Sequence, residues 1–400
     1  MATQPTILVA PADNVMALAV IRSLGRQGLK TVGITRNSQG LGRQSRYCLN
    51  CVPVSDSPSE TIETILSLAA RYHASHLIAT NEIFIVLLNE HRSLLEAHLQ
   101  LLFPPPNLFD LALHKDKTLR IARAVGVPTP RTEVIESIDD LPRCAGMRFP
   151  VVLKPPHGDI RSPLTFKALY VDSYEELCEE ILRFGALGQY PLVQEYWQGT
   201  GVGVEVLMRR SSPLMLFQHR RIHEYPITGG ASVYCESMPL NPKLVDYSVT
   251  LLKAMGWDGV AMVEFKFDEK TGEAALMEVN GRFWGSLPLA LHAGADFPYV
   301  FYLSSLDGHA LPKFQSRAVR CRSLAGDTKW LIGTLRDGKA PKLRAMMDYL
   351  TAFRPGVRYF IWAIDDPMPA VYQFVRRVLT AILRAVRLPL AAILRQRSTT

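Results

Sequence analysis

The sequence predicts an α/β protein, in which an N-terminal Rossmann-like domain with a parallel sheet precedes a larger part of α+β type. In the first hundred residues, apolar runs alternate with amphipathic segments of helical period, which is typical of parallel strands joined by helices. After residue 190 several strand patterns follow one another directly, which is typical of antiparallel pairing. The 400 residues, of which 48% are apolar, suffice for two or three domains.

The first domain is predicted to end at about residue 110, where a proline-rich stretch at 104–106 interrupts the pattern. Its first turn reads A-P-A-D-N and lacks the G-x-G-x-x-G pattern, so no dinucleotide site is predicted there. The apolar and amphipathic periods predict strands at 6–10, 31–35 and 76–80, and helices at 14–27, 60–72 and 82–91.

Beyond residue 110 the patterns predict a further series of strands and helices. A lysine stands near the end of the strand pattern F-P-V-V-L-K-P at 149–155. The other predicted elements are helices at 114–125, 175–184 and 245–255, and strands at 191–197, 202–208, 214–219, 259–268 and 273–280.

The net charge of +8 belongs mostly to the C-terminal tail, because residues 368–400 contain six arginines, no lysine and no acid. The other 39 basic residues nearly balance the 37 acidic ones, so nucleic-acid binding by the main fold is not expected. With no signal-peptide pattern and no long uncharged apolar run, we expect a cytoplasmic protein. Cys48 and Cys51, a lone C-x-x-C, are interpreted as ordinary reduced thiols.

The two strand patterns around residues 270–272 predict a β-hairpin that brings Glu264 directly opposite Glu278. The same register pairs Glu269 with Glu273 near the turn. Side chains alternate along a strand, so Asn280 lies on the same face as the two site glutamates. The other face is expected to be an apolar layer, in which Val263, Phe265 and Phe267 face Ala275, Met277 and Val279.

Two carboxylates that face each other across a strand pair repel, and the residues alone leave three interpretations of them. They and the Asn280 amide could hold a hard cation such as Mg²⁺, which prefers oxygen ligands. They could share a proton and act in acid–base chemistry. The simplest interpretation is a solvated hairpin without a ligand.

The hairpin and the residues after it resemble the ATP-grasp superfamily, specifically its carboxylate–amine ligase-like members. The resemblance spans about residues 6–330 and rests most on E-F-K-F-D at 264–268 and on M-E-V-N-G-R-F-W-G-S-L-P-L-A-L from 277. It implies an ATP-grasp fold of two α+β subdomains, a small lid subdomain at 111–190 and a large subdomain at 191–330, before a C-terminal extension at 331–400. It also implies ATP and Mg²⁺ (or Mn²⁺) as cofactors. It also implies that Glu264, Glu278 and Asn280 ligate the metal, while Arg282 contacts the transferred phosphoryl group or an acyl phosphate.

The resemblance extends to residues that would bind the nucleotide and the substrate. Lys117 and Lys154 stand where the family places phosphate-binding lysines, and Arg221, rather than its neighbour Arg220, is predicted to bind the substrate carboxylate or its acyl phosphate. The hinge that would meet the adenine consists of Gln194, Glu195, Tyr196 and Trp197, with the Glu195 carboxylate accepting from the adenine amine. The loop after Lys154 departs from the family, because Gly158 is its only glycine.

The function that the resemblance implies is an ATP-dependent ligase that joins a small-molecule carboxylate to an amine through an acyl phosphate. The alternative is a catalytically silent nucleotide-binding regulator or scaffold at the membrane surface. A third interpretation is an ATP-grasp enzyme that makes a non-amide product from the acyl phosphate. Residues 373–397 predict a basic amphipathic helix, which would either contact an anionic membrane from its inner face or pack on the body or a second subunit, as in a homodimer.

Overall fold

Three β-sheets organise the chain in the computed structural model, which describes residues 5–380 apart from 38, 157–165, 167 and 339. The first sheet has the order β3-β2-β1-β4-β5 and parallel neighbours, as the alternating pattern predicts. Its strands are β1 (Thr6–Ala10), β2 (Lys30–Thr35), β3 (Cys48–Pro53), β4 (Ala74–Ala79) and β5 (Gln100–Leu102). The helices of this domain are α1 (Val15–Arg26), α2 (Pro58–Tyr72), α3 (Glu82–Glu90) and α4 (Arg92–Glu96).

Local sequence explains where these helices begin. The side chain of Asn14 accepts a hydrogen bond from the Ala17 backbone N–H at the start of α1, and Asn81 does the same for α3. Such caps satisfy backbone donors that have no partner within the helix. The loop before α3 therefore holds Glu82 at a fixed place, at the edge of the domain that faces the rest of the chain.

A small antiparallel sheet of order β6-β9-β7-β8 follows two connecting helices. The helices are α5 (Pro106–Leu113) and α6 (Lys115–Ala124), and α7 (Tyr174–Gly185) packs on the sheet. The strands are β6 (Thr132–Val134), β7 (Val151–Lys154), β8 (Leu169–Val171) and β9 (Leu192–Glu195). Because β9 pairs with both β6 and β7, the small subdomain extends to Glu195, beyond the boundary predicted at residue 190.

The large sheet has the order β14-β13-β10-β11-β12-β15-β16. Its strands are β10 (Thr200–Arg209), β11 (Ser212–Tyr225), β12 (Ala231–Ser237), β13 (Gly259–Phe267), β14 (Ala274–Asn280), β15 (Arg320–Arg322) and β16 (Val357–Tyr359). Its helices are α8 (Pro242–Ala254), α9 (Leu287–His292), α10 (Phe297–Ser304), α11 (Leu324–Asp337) and α12 (Lys342–Thr351). Since β16 pairs with β15, part of the predicted C-terminal extension completes this sheet instead of following it.

The two faces of the large sheet bury different cores. One face packs Val204, Val263 and Phe265 against α8, whose apolar side includes Leu251. Residues of the opposite side share a second core with α9, α10 and strand β1 and helix α1 of the first domain. This shared core holds the N-terminal domain against the large sheet, so the polar end of the β13–β14 hairpin faces the first domain and the small sheet.

The chain after β16 returns to the N-terminal domain. The Nε atom of Arg22 lies 2.9 Å from Asp366 Oδ2, and both side chains are buried. Residues 368–380 are helical, and the rest of the predicted basic helix, residues 381–400, lies outside the described residues. Among the described residues, no helix is both long and apolar enough to cross a bilayer.

Candidate active site

The β13–β14 hairpin places Glu264 directly opposite Glu278, as predicted. The register shifts at the next pair, where Phe265 faces Leu276 and Met277 is the extra residue of a β-bulge. Below the bulge the predicted pairing of Glu269 with Glu273 is therefore wrong, since Asp268 donates its N–H to the Glu273 carbonyl and closes the turn.

The bulge also changes which residues form the apolar layer. Leu276, and not the predicted Met277, is fully buried in the core with Ala274 and Val279. An extra residue reverses the alternation of side chains, so the turn and the site end of β14 can each present their apolar residues to the same core. The site keeps its two facing carboxylates in consequence.

Asn280 joins the two carboxylates. Its Nδ2 atom donates to Oε1 of Glu264 and to Oε1 of Glu278, each at 3.1 Å. Its Oδ1 atom accepts from Nη2 of Arg282 at 3.1 Å. The structure thus brings together the four site residues predicted on the M-E-V-N-G-R stretch and its partner strand: Glu264, Glu278, Asn280 and Arg282.

Cations from three other segments surround the pair. Nη2 of Arg221 donates to Oε2 of Glu264. Nζ of Lys115 lies 3.7 Å from Oε2 of Glu278. Lys154 acts on both carboxylates through its charge, and its Nζ donates to Oε1 of Gln194 at 2.6 Å.

The surroundings separate the proton affinities of the two carboxyls. Burial favours the protonated form of Glu278, but the charge of Lys115, the Asn280 hydrogen bond and the charges of Lys154 and Arg221 outweigh it and lower its pKa to about 2. Burial raises the pKa of Glu264, and the charge of Glu278 adds to that rise against the opposing effect of Arg221. A cation between the two oxygens would favour the ionised form of both carboxyls.

Two glycines of β10 make room for the side chains of β11 on this face. A Cβ atom at Gly201 would lie 2.9 Å from Cδ of Arg221, and one at Gly203 would lie 2.5 Å from Cε1 of His219. Without side chains on the strand between them, Arg221 can reach across β10 to Glu264 on β13. Arg220 alternates to the other face, where it pairs with Glu236 and Glu269.

Lys117 does not reach the hairpin in this structure, because its Nζ donates to the carboxylate of Asp110. Lys115, two residues earlier at the start of α6, takes the place beside Glu278. Positions two apart on a helix point in directions about 160° apart, so only one of the two lysines can face the site. Lys115 is a site residue that the sequence did not single out, and a role for Lys117 stays a prediction.

The hinge residues are placed differently from one another. Gln194 is buried and faces Lys154 and Thr132. The Glu195 carboxylate accepts hydrogen bonds from the backbone N–H, Nε and Nη2 of Arg148. It is therefore already paired with Arg148, whereas it was predicted to accept from the adenine amine. Tyr196 is exposed and Trp197 is partly buried, in the segment between β9 and β10.

Arg282 links the hairpin to the first domain. Its Nη2 atom lies 2.7 Å from Oε1 of Glu82, at the start of α3. A cavity of 50 Å³ opens beside Glu82, which lines it together with Lys115, Glu278 and Asn280. The cavity lies where the first domain, the α5–α6 segment and the β13–β14 hairpin meet.

A buried polar network adjoins the carboxylates and was not predicted. Nδ1 of His219 lies 2.5 Å from Oε1 of Glu205, and its Nε2 atom lies 3.3 Å from Oγ of Ser286. All three residues are buried, and Oε2 of Glu205 has no hydrogen-bond partner among the residues that the structure describes. The sequence feature that could have indicated this network is the alternation of Gly201, Gly203 and Glu205 on one face of β10.

Comparisons with known proteins agree with this architecture. Residues 189–324 match the family model described as ATP-grasp in the biosynthetic pathway with Ter operon. A D-alanine–D-alanine ligase of Carboxydothermus hydrogenoformans is 30% identical over 189 residues, which are 42% of this chain and 59% of that ligase. The chain therefore spans less than two thirds of this relative.

Solved structures extend the similarity to most of the chain. An L-amino acid ligase of Bacillus licheniformis matches with a TM-score of 0.59 and 17% identity, covering 75% of this chain and 73% of the other. An N5-carboxyaminoimidazole ribonucleotide synthetase in complex with ADP matches with a TM-score of 0.63 and 15% identity, covering 84% and 86%. The predicted ATP-grasp fold and the resemblance to carboxylate–amine ligases are confirmed.

Proposed function

We propose that this chain, which has the ATP-grasp fold, is an ATP-dependent ligase that joins a small-molecule carboxylate to an amine through an acyl phosphate. The observation that carries the proposal is the facing pair Glu264 and Glu278, bridged by Asn280 and surrounded by cationic side chains. Such a site has oxygen donors for a metal and positive charges for phosphate oxygens at the same place.

The donor set fits Mg²⁺, with Mn²⁺ as an alternative. Glu264, Glu278 and Asn280 would supply two carboxylates and one amide. Within the described residues, no group of three or more histidine, cysteine or acidic side chains is arranged to hold a metal. Mg²⁺ usually keeps waters and shares phosphate oxygens, so it does not need more protein ligands. When bound, the ion would neutralise charge on the transferring phosphoryl group.

The nucleotide is proposed to bind between the small and large sheets. The ammonium of Lys154 would contact phosphate oxygens, and the backbone of residues 194–197 would meet the adenine edge. Gln194 holds the Lys154 side chain by accepting its hydrogen bond, and Thr132 in turn fixes Gln194. These two hydrogen bonds position the Lys154 side chain in advance, so that little side-chain entropy is lost when phosphate binds.

The reaction proposed for this site has two steps. A carboxylate oxygen of the substrate attacks the γ-phosphorus of ATP, and the bond to the β,γ-bridging oxygen breaks to release ADP. The amine then attacks the carbonyl carbon, phosphate leaves with the substrate's oxygen, and the amine loses a proton. Arg282 and Arg221 would bind the acyl phosphate, because guanidinium groups hold phosphate and carboxylate oxygens in pairs.

The carboxylate substrate is proposed to be an amino acid. The two relatives named as amino-acid ligases act on D-alanine and on L-amino acids, respectively. In this chain Glu82 and Arg282 pair at the interdomain cavity, with opposite charges 2.7 Å apart. A zwitterion could separate them, with its ammonium group at Glu82 and its carboxylate at Arg282.

Lys154 gives this proposal a pH dependence. Burial lowers the pKa of Lys154 to about 8, with the charges of Lys115 and Lys266 adding to the fall and those of Glu278 and Glu264 opposing it. Bound phosphate would raise that pKa, so binding above pH 8 must take up a proton. We expect ADP affinity to be constant just below pH 8 and to fall above it by up to about tenfold per pH unit, measured by calorimetry.

The control for this dependence is Lys154→Arg, because a guanidinium group stays charged throughout the range. Its affinity should stay level where that of the unaltered protein falls. Equal pH profiles for the two proteins would show that Lys154 does not bind the phosphates.

The function is tested by ADP release in the presence of Mg²⁺ and pools of amino acids and amines. Release that needs both a carboxylate and an amine, and an amide in the products, is the expected result. Nucleotide binding with no turnover on any pool would favour the silent regulator or scaffold instead. Most of the glycine-poor loop after Lys154, residues 157–165, lies outside the described residues.

A further inference from the structure

The helix at residues 368–380 carries an apolar stripe that nothing covers in the described part of the chain. Six apolar side chains recur at helical spacing, within an arc of about 140° on a helical wheel. Each is between 41% and 68% exposed: Met368, Val371, Phe374, Val375, Val378 and Leu379. A helix packed on the body of a protein buries such a stripe, so among the described residues this stripe is open to another partner.

The base of this helix is held firmly. Oδ2 of Asp366 accepts from Nε of Arg22 at 2.9 Å and from Oγ of Ser45 at 2.7 Å. Asp365 pairs with Arg26 at 2.8 Å. These contacts fix the chain to the first domain immediately before the helix, so the stripe belongs to a definite place on the molecule.

The charges of the same segment select the partner. Arg376 and Arg377 lie outside the apolar arc, and residues 381–400 add four further arginines by sequence. From residue 368 to the end the chain contains no acid. A second copy docked through this stripe would bring two uncompensated groups of arginines together, which repel. A nucleic acid would neutralise the arginines but leave the stripe in water.

We propose that the 368–380 helix lies on an anionic lipid surface, with its apolar stripe in the acyl region and its arginines at the headgroups. A single membrane-binding feature gives only marginal binding. Stable binding needs two such features, for example an inserted apolar group and a basic patch. This segment has both. The proposal is independent of the ligase reaction, because it uses no residue of the candidate active site.

The test is co-sedimentation of the full chain with vesicles of phosphatidylcholine alone and of phosphatidylcholine with phosphatidylglycerol. We expect binding only to the anionic vesicles, and weaker binding as salt is added. Arg376→Gln with Arg377→Gln should lower the partition coefficient about 25-fold, at about fivefold for each arginine. Phe374→Ser with Leu379→Ser should lower it at least about 100-fold.

A matched control is Leu343→Ser with Leu350→Ser on α12, since both leucines are also exposed. This variant loses a similar apolar area elsewhere and should keep its vesicle binding, and all three variants should keep the unaltered melting temperature. Equal losses in the control and in the stripe variant would overturn the proposal. So would a chain that ignores anionic vesicles, or one that self-associates through Phe374 and Leu379 in sedimentation velocity without binding lipid.

Discussion

Replacing Glu278 with alanine is expected to lower kcat/KM at least about 1,000-fold and to remove Mg²⁺-dependent nucleotide binding. The cations around Glu278 lower its pKa to about 2, so this carboxylate is ionised at neutral pH. Without it, Glu264 would remain with Arg221 as its partner, and the oxygen donors for a divalent cation would fall from two carboxylates to one. Calorimetric titration with ADP, with and without Mg²⁺, measures the loss of nucleotide binding, and the rate of ADP release measures the change in kcat/KM.

Glu273→Ala is the matched control for this variant. Glu273 belongs to the same hairpin but is exposed at its turn. Its backbone carbonyl accepts from the Asp268 N–H, and its backbone N–H donates to Oγ1 of Thr271. It should keep the activity of the unaltered protein. A Glu278→Ala protein that is folded by circular dichroism and still binds ADP more tightly with Mg²⁺ would contradict the proposed metal site.

The His219→Leu variant is expected to lose about 3–5 kcal/mol in the free energy of unfolding, because it removes one partner of a buried pair. Glu205 is completely buried, and within the described part of the chain its Oε2 atom already lacks a hydrogen-bond partner. Loss of His219 would leave Oε1 without its 2.5 Å contact as well. Urea unfolding at neutral pH measures the change.

The double variant Glu205→Leu with His219→Leu tests the cause of that loss. Replacing both members of a buried pair with apolar side chains of similar volume often costs little, so the double variant should be within about 1–2 kcal/mol of the unaltered protein. A double variant as unstable as His219→Leu would attribute the loss to packing. A single variant of unaltered stability would show that the pair contributes nothing to the fold.

Much of the site could be predicted from the sequence because its chemistry follows short-range rules. Strand alternation put Glu264, Glu278 and Asn280 on one face, and the structure pairs the two glutamates in that way. The bulge escaped prediction because Leu276 and Met277 are both apolar, so either can fill the core position. A single extra residue then decides the register of the turn.

The features that the sequence could not indicate concern side chains whose partners are distant in sequence. Glu195 binds Arg148, 47 residues away, and no local pattern shows that its carboxylate is already satisfied. K-D-K at the start of α6 offers two lysines on different sides of one helix, and tertiary packing turns Lys115 to the hairpin. The glycines of β10 gain their meaning only once β11 lies beside them with Arg221 and His219.

The most direct test of the central claim follows oxygen from the substrate. Amino acids labelled with ¹⁸O in both carboxylate oxygens are supplied with ATP, Mg²⁺ and the amine pool, and the released phosphate is analysed by mass spectrometry. Activation through an acyl phosphate moves one labelled oxygen from each reacting carboxylate into phosphate. Phosphate carrying one ¹⁸O is therefore the predicted result. Unlabelled phosphate, released together with ADP while amide is formed, would contradict the proposed reaction.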